Sequence, residues 1–509
     1  MSTTTTTAGS SPARAGRRGH WLEGDLAPAA GLALLAAVVR LPTLAQQSFW
    51  LDEGYTARLL RMSLGGMLRT IPKTESTPPV YYVLAWLWTR VFTQSEYGVR
   101  SLSALAGIAT IPVAYAVARR LAGRRAAVLA GLLLAVAPLM VWFSQEARAY
   151  ALATLLATLT LLCTVSYLEE QESRWLVGWS VCAALGLATH YFVAFVLAPE
   201  VVLLVWRTRR DARLAAALGL VVVVALALLP LALAQRGTGH VDYIAVGSLS
   251  TRVAQVPKQL LVGYASPGEL VTAILASLLV LAGGVWPIAV DSETRRRAAL
   301  PLLVGLACVL VPIVLALVGI DFLDTRNLLP ALPALYIAGA IGFASDRTWP
   351  LGGILAGALA LVMIIVVVLV DTNARYQRSD WRGASRALGV VAVPRAIVVD
   401  AGSALIPMQA YLPGLRELSR PTPVTELDVV AIPAAANAGG GLPAPPRPTR
   451  PLAVPAGFHL VATVDGPTYT VLRYRASTPT VVAPGVAYAN LIGPGPYSPL
   501  LQPAVNGAR

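Results

Sequence analysis

Cysteine, histidine and charge are all scarce in this chain of 509 residues, and each shortage excludes something. The three cysteines, Cys163, Cys182 and Cys308, fall inside apolar runs. They show no disulfide framework and no metal-ligand spacing, so they read as small buried hydrophobes. Charged residues make up only 13% of the chain and hydrophobic ones 56%, with a mean hydropathy of +0.65, which excludes an ordinary soluble protein. A nucleotide-binding glycine fingerprint, a Walker loop and a metal-ligand cluster are all missing from the sequence. What it has instead is a series of long apolar runs, the pattern of a polytopic membrane protein. The net charge of +14 would suggest nucleic acid in a soluble domain. Here much of the Lys and Arg excess lies in short loops between apolar runs, where it fixes orientation, so nucleic-acid binding is rejected.

A helix of about 20 residues crosses a bilayer core about 30 Å thick. By that measure eleven spans are predicted, at about 26–45, 99–118, 126–143, 148–168, 175–190, 191–206, 214–234, 269–290, 299–319, 328–344 and 350–370. Residues 1–25, a threonine run followed by Arg14, Arg17 and Arg18, are predicted to be a disordered cytoplasmic tail. The first apolar run exceeds a signal-peptide core and meets Arg40 near its far end, so it is read as a retained span. The run from Val80 to Phe92 is short and rich in Trp and Tyr, and is predicted to lie on the membrane surface as an amphipathic helix. With that helix left out of the count, the arginine clusters at 119–125, 207–213 and 295–297 all fall inside and the C-terminus outside.

From Asp371 onward the composition changes, and residues 371–509 are predicted to form a small α/β domain on the outer face. Strand character appears at Ala396–Asp400, Val424–Ile432 and Phe458–Tyr474, the last broken by a turn at Val464–Thr468. Residues 434–455, rich in Pro, Gly and Ala, read as an exposed loop.

The same topology gathers the unusual polar groups on one side. They are Arg40, the adjacent Asp52 and Glu53, Glu75 to Pro79, Arg100, Gln145 to Arg148, His190-Tyr191 and Asp324 to Asn327. Taken singly, each has a bland reading: carboxylates mark helix ends, arginines snorkel to headgroups, and a histidine sits satisfied at the interface. Charges at span ends are costly unless paired or facing a wet cavity, so their convergence on one face argues for a site.

The ordered motifs Leu51-Asp52-Glu53-Gly54-Tyr55-Thr56, Pro78-Pro79-Val80-Tyr81-Tyr82, Ser95-Glu96-Tyr97-Gly98-Val99-Arg100, Gln145-Glu146-Ala147-Arg148-Ala149-Tyr150, Thr189-His190-Tyr191 and Arg326-Asn327-Leu328-Leu329-Pro330 resemble a known family. It is that of the bacterial relatives of protein O-mannosyltransferases and aminoarabinose transferases, C-type membrane glycosyltransferases. The resemblance spans about residues 30–345 and, more loosely, Asp380-Trp381-Arg382-Gly383-Ala384. It departs at Thr77, where the family usually has His, and at Asn327, where it usually has Tyr, which leaves the sugar and the acceptor open.

The resemblance implies a transmembrane glycosyltransferase domain over 26–370, with its first outer loop, 46–98, carrying the carboxylates. It implies inverting transfer of a sugar, mannose or a pentose such as arabinose, from a polyprenyl-phosphate donor to a hydroxyl of an envelope glycan, lipid or protein. An acceptor hydroxyl is a poor nucleophile until a base takes its proton, so Asp52 is the candidate base and Glu53 the second. The lipid phosphate develops negative charge as it leaves, and guanidinium groups suit it through their fork geometry. Arg326 and Arg148 are the candidates for it, with His190, Arg40, Tyr82 and Arg100 as further donor-binding residues. No cofactor is implied and no divalent metal is indicated; the partners are the donor, the acceptor and membrane lipids. The competing readings are a transporter or lipid flippase, for which Glu200 inside the sixth span speaks, and a membrane-anchored scaffold for the C-terminal domain.

Overall fold

The computed structural model describes residues 16–208, 211–389, 393–399, 404–432, 454, 456–484 and 498–504. The threonine run, Arg14, Arg209, Arg210, Asp400 and nearly all of the Pro/Gly/Ala-rich stretch at 434–455 lie outside them.

Among the described residues, six helices are long and apolar enough to cross a membrane: Glu96–Ala122, Tyr150–Glu170, Ala212–Arg236, Glu269–Val290, Ser292–Leu317 and Leu351–Thr372. A seventh passes only as a pair, Arg124–Val136 with Pro138–Ser144, bent by 58°. The predicted straight helix at 126–143 is therefore corrected to two helices meeting at a bend. Pro138 has no N–H to continue the ladder, and it starts the second helix, where that donor is not required. The other predicted spans fall on the helix Gly16–Arg40 and on Ser173–Leu187, Val193–Thr208 and Leu332–Phe343. The last three are 15, 16 and 12 residues long, shorter than a full crossing at 1.5 Å per residue. The N-terminal helix begins at Gly16, inside the stretch read as a disordered tail. Its early turns are anchored by Asp25, which accepts from Tyr115 Oη at 2.8 Å and pairs with Arg119 at 2.9 Å.

Apolar faces clothe the outside of the bundle. Val222, Val223, Leu226, Leu229 and Leu233 of Ala212–Arg236 are exposed, as a lipid-facing helix requires. Inside, helices touch closely where glycine permits: a Cβ at Gly342 would fall 1.9 Å from the Gly284 carbonyl oxygen. The arginine clusters share one end of the molecule. Arg120 pairs with Glu169 and Glu170, Arg125 with Asp346, and Arg213 bonds Ser173.

At the other end three short helices, Leu51–Leu60, Leu64–Thr74 and Val80–Val91, pack over the bundle. Beyond residue 395 lies a six-stranded sheet of β1 Arg395–Val399, β2 Arg416–Glu417, β3 Thr422–Ala431, β4 His459–Asp465, β5 Thr470–Val482 and β6 Ser498–Gln502. Its order is β2-β6-β1-β3-β5-β4, with β1 and β3 parallel and the remaining pairs antiparallel. Helices Trp381–Leu388 and Leu405–Gln409 cover one face through Trp381, Leu388 and Met408 against Ile397, Val399 and Val430. The predicted strands are present, and the turn between β4 and β5 closes where Gly466 N–H donates to Tyr469 O at 2.9 Å.

Candidate active site

Asp52 and Glu53 occupy the first turn of Leu51–Leu60, where the positive end of the helix favours carboxylates. Neighbouring helical residues face different directions, and these two separate accordingly. Glu53 turns inward and is fully buried. Arg100 grips it through both ends of the guanidinium, Nε to Oε1 at 2.7 Å and Nη2 to Oε2 at 2.6 Å, and the Ala147 N–H donates at 2.9 Å. Burial pushes the Glu53 carboxyl up, but the charge and hydrogen bonds of Arg100, the charge of Arg378 and the Ala147 N–H together outweigh it and hold the group below its ordinary value. Arg100 also donates to the carbonyls of Leu44, Gln47 and Ser48, so the pair pins the chain that leads into the helix.

Asp52 instead faces a cavity of about 520 Å³ lined by Tyr55, Glu75, Thr77, Arg148, Tyr150, His190, Gln235, Tyr243, Arg326 and Asn327 among others. Arg326 Nη1 donates to Asp52 Oδ2 at 2.8 Å, while its Nε lies 3.1 Å from Asp324 Oδ2 and its guanidinium over the Tyr243 ring at 5.5 Å. Asp324 in turn accepts from the Arg326 N–H at 3.2 Å and from Tyr264 Oη at 3.2 Å. Burial pushes the Asp324 carboxyl up to about 6 despite those donors.

Arg148 lies in the bend between Pro138–Ser144 and Tyr150–Glu170. It pairs with Glu75 Oε2 at 2.6 Å and reaches the Asp52 carbonyl at 3.4 Å. The other Glu75 oxygen is buried with no hydrogen-bond partner among the described residues, and burial raises this carboxyl against the pull of Arg148. His190 sits in the turn after Ser173–Leu187, its Nδ1 accepting the Phe192 N–H at 3.2 Å. That contact assigns the proton of the neutral ring to Nε2 and makes it a donor. The Thr189-His190-Tyr191 motif thus joins the loops carrying Asp52, Arg148 and Arg326, as the sidedness of the sequence suggested.

Four of the predicted site residues stand behind the cavity wall. Glu53 and Arg100 are paired with each other and with the surrounding backbone. Tyr82 is buried and donates to Glu75 while meeting Thr77 Oγ1 at 3.0 Å, so it acts through Glu75. Arg40 does not reach either carboxylate. It is buried and donates to the carbonyls of Ala36, Leu134 and Ala135, filling the break in the bent span where helix carbonyls lose their partners. Glu200 lies apart from the cavity, its oxygens accepting from Thr160, Thr164 and Trp179. Tyr243, from the 3₁₀ turn Asp242–Val246, and Gln235 line the cavity without having been singled out in the sequence. Their only signal is position, just after an apolar run that ends on the site face.

Glu146 is buried, takes an ion pair from Arg378, and is pushed up to about 7 by burial. No group of three or more His, Cys, Asp or Glu among the described residues could hold a metal ion.

Residues 76–233 match the family model described as dolichyl-phosphate-mannose-protein mannosyltransferase. No curated protein sequence matches the chain. Among solved structures it is similar to ArnT from Cupriavidus metallidurans in the apo state, at 14% identity and a TM-score of 0.52, over 90% of this chain and 98% of that one. ArnT from the same organism bound to undecaprenyl phosphate matches at 14% identity and a TM-score of 0.51, with the same coverage. At that identity the likeness is one of fold.

Proposed function

We propose, on the premise that the chain belongs with the C-type membrane glycosyltransferases by its family match over 76–233 and its fold, that it moves a mannose or pentose unit from a polyprenyl-phosphate donor to a hydroxyl of an envelope glycan, lipid or protein. The observation that carries the reading is a carboxylate and two guanidinium groups brought to one cavity from three distant parts of the sequence. Asp52 keeps Oδ2 on Arg326 and uses Oδ1 to take the acceptor proton. The acceptor oxygen bonds to the anomeric carbon from the face opposite the lipid phosphate, the carbon–oxygen bond to phosphate breaks, and the configuration inverts.

Arg326 and Arg148 stabilise the charge that grows on the departing phosphate. Each is held in advance by a carboxylate, Asp324 and Glu75, so little reorganisation accompanies the reaction. His190 donates from Nε2 to the same phosphate. Removing one such preorganised donor typically costs about a hundred- to a thousandfold in turnover. The eleven-span topology, with the cavity and the C-terminal domain outside the cytoplasm, belongs to the same proposal. Such a donor presents its phosphate at the outer surface, where Asp52 and Arg326 are expected to sit.

Purified protein assayed with a panel of polyprenyl-phosphate sugars tests the proposal. Release of free polyprenyl phosphate coupled to a new glycoside supports it. Failure of every mannosyl and pentosyl donor with wild-type protein overturns it.

A further inference from the structure

Arg378 lies on the stretch joining the last long helix to the sheet, yet its side chain is buried beneath the active-site loop. Its Nη2 donates to Glu146 Oε2, and its Nη1 stands 3.7 Å from Glu53 Oε2. The guanidinium lies in a slot over two indoles, 4.9 Å from the Trp50 ring centre and 4.5 Å from that of Trp142. A planar cation fits such a slot, whereas an ammonium stacks and forks poorly.

The residues around it tie the same two segments together. The Arg378 N–H donates to Gln47 Oε1 at 3.1 Å. Ser48 Oγ donates to Ser379 O at 3.0 Å and accepts from the Trp381 N–H at 3.0 Å. Arg382 reaches the carbonyls of Ala45 at 3.0 Å and Gln46 at 2.7 Å. Farther into the domain, Tyr411 Oη accepts from the Phe49 N–H at 2.6 Å. Residues 45–50 run directly into the turn that presents Asp52, and nearly every one of them is held by the chain beyond residue 377.

We infer that Arg378 is a positioning residue for the transfer reaction, and that through it the C-terminal domain sets the Asp52 turn. It touches neither Asp52 nor the cavity; it acts by holding Trp50, Glu53 and Glu146 in place. This rests on the functional reading above, so the test carries one readout that does not need turnover. A displacement of about 1 Å at a reacting group is enough to lose on the order of a hundredfold in rate.

The experiment uses the full-length protein with the variants Arg378→Gln, Arg378→Lys and Ser48→Ala. Arg378→Gln is expected to lower kcat by roughly a hundredfold with the donor KM unchanged, and Arg378→Lys to recover only part of it. Hydrogen–deuterium exchange of the segment 44–56 is expected to accelerate in Arg378→Gln and, more mildly, in Ser48→Ala. Wild-type kcat in folded Arg378→Gln, a KM that rises in step with the fall in kcat, or unaltered exchange of 44–56 would each overturn the inference. If Arg378→Gln does not fold, Ser48→Ala decides by the same two readouts. If the wild-type protein turns over no polyprenyl-phosphate sugar, the functional reading fails, and the exchange measurement still decides whether Arg378 holds the loop.

Discussion

Arg326 reaches across 274 residues of sequence to place Nη1 2.8 Å from Asp52 Oδ2. Neither residue is left to find the other at the moment of reaction. Asp324 holds the opposite side of the guanidinium, so Arg326 lies between two carboxylates before any phosphate arrives. Arg326→Ala is expected to lose on the order of a hundred- to a thousandfold in turnover and to weaken donor binding, while the fold survives. Initial rates at limiting donor check this; wild-type rates for Arg326→Ala would remove the residue from the phosphate site.

Asp324 gives that clamp a pH dependence. Burial pushes its carboxyl up from the ordinary 3.8 to about 6, so the anion that pairs with Arg326 is present above that pH and lost below it. Turnover is therefore expected to fall as pH drops through about 6, and Asp324→Asn to give a low rate without that limb. The stability contribution has the opposite sign. Between 3.8 and about 6 the folded state binds the proton that the unfolded chain has released, so this group's contribution declines as pH rises across that window. A pH–rate profile of wild type beside Asp324→Asn measures the first effect, and thermal unfolding across the same range the second.

Orientation is tested by labelling. In a background without Cys163, Cys182 and Cys308, Val246→Cys, exposed at the end of the 3₁₀ turn that carries Tyr243, is expected to react in intact cells with an impermeant thiol reagent. Arg347→Cys, at the arginine-rich end, is expected to react only after the membrane is opened. Labelling of Arg347→Cys in intact cells would reverse the topology.

Packing of the bundle is tested at Gly342. A Cβ there would fall 1.9 Å from the Gly284 carbonyl oxygen, so the two helices must separate to admit any side chain. Gly342→Val is expected to destabilise the protein by at least about 1–3 kcal/mol, measured as a lower midpoint of thermal unfolding in detergent. An unchanged midpoint would mean that the two helices do not cross this closely.

Much of the site was legible in the sequence because membrane proteins restrict where charge can stand. Asp52, Arg148, His190 and Arg326 announced themselves as charged or titratable groups at the ends of apolar runs, and all four line the cavity. Direction was not legible. Asp52 and Glu53 are identical in charge and adjacent, and only the helical turn of Leu51–Leu60 sends one to the cavity and the other to Arg100. Arg40 looked like a site residue for the same reason as Arg148, but the break at Pro138 gave it carbonyls to cap instead.

In the sheet, the β-branched runs foretold β1 and β3, and the turn placed inside 458–474 foretold β4 and the start of β5. The two-residue β2 and the Pro-containing β6 carry no periodic signal, and tertiary pairing alone makes them strands. The service of Arg378 to the active-site loop was hidden because it depends on contacts between residues more than 200 positions apart.

The central claim is that Asp52 takes the acceptor proton, and single-turnover kinetics of Asp52→Asn with saturating donor and acceptor test it most directly. The substitution keeps the size and the oxygen facing Arg326 but removes the base. With donor still bound, the rate of glycoside formation is expected to fall by about a hundred- to ten-thousandfold, the usual contribution of a general base, and Glu53→Gln to act through loosening of the Arg100 anchor, with a measurable loss of stability. Glycoside formation at the wild-type rate by folded Asp52→Asn would contradict the assignment.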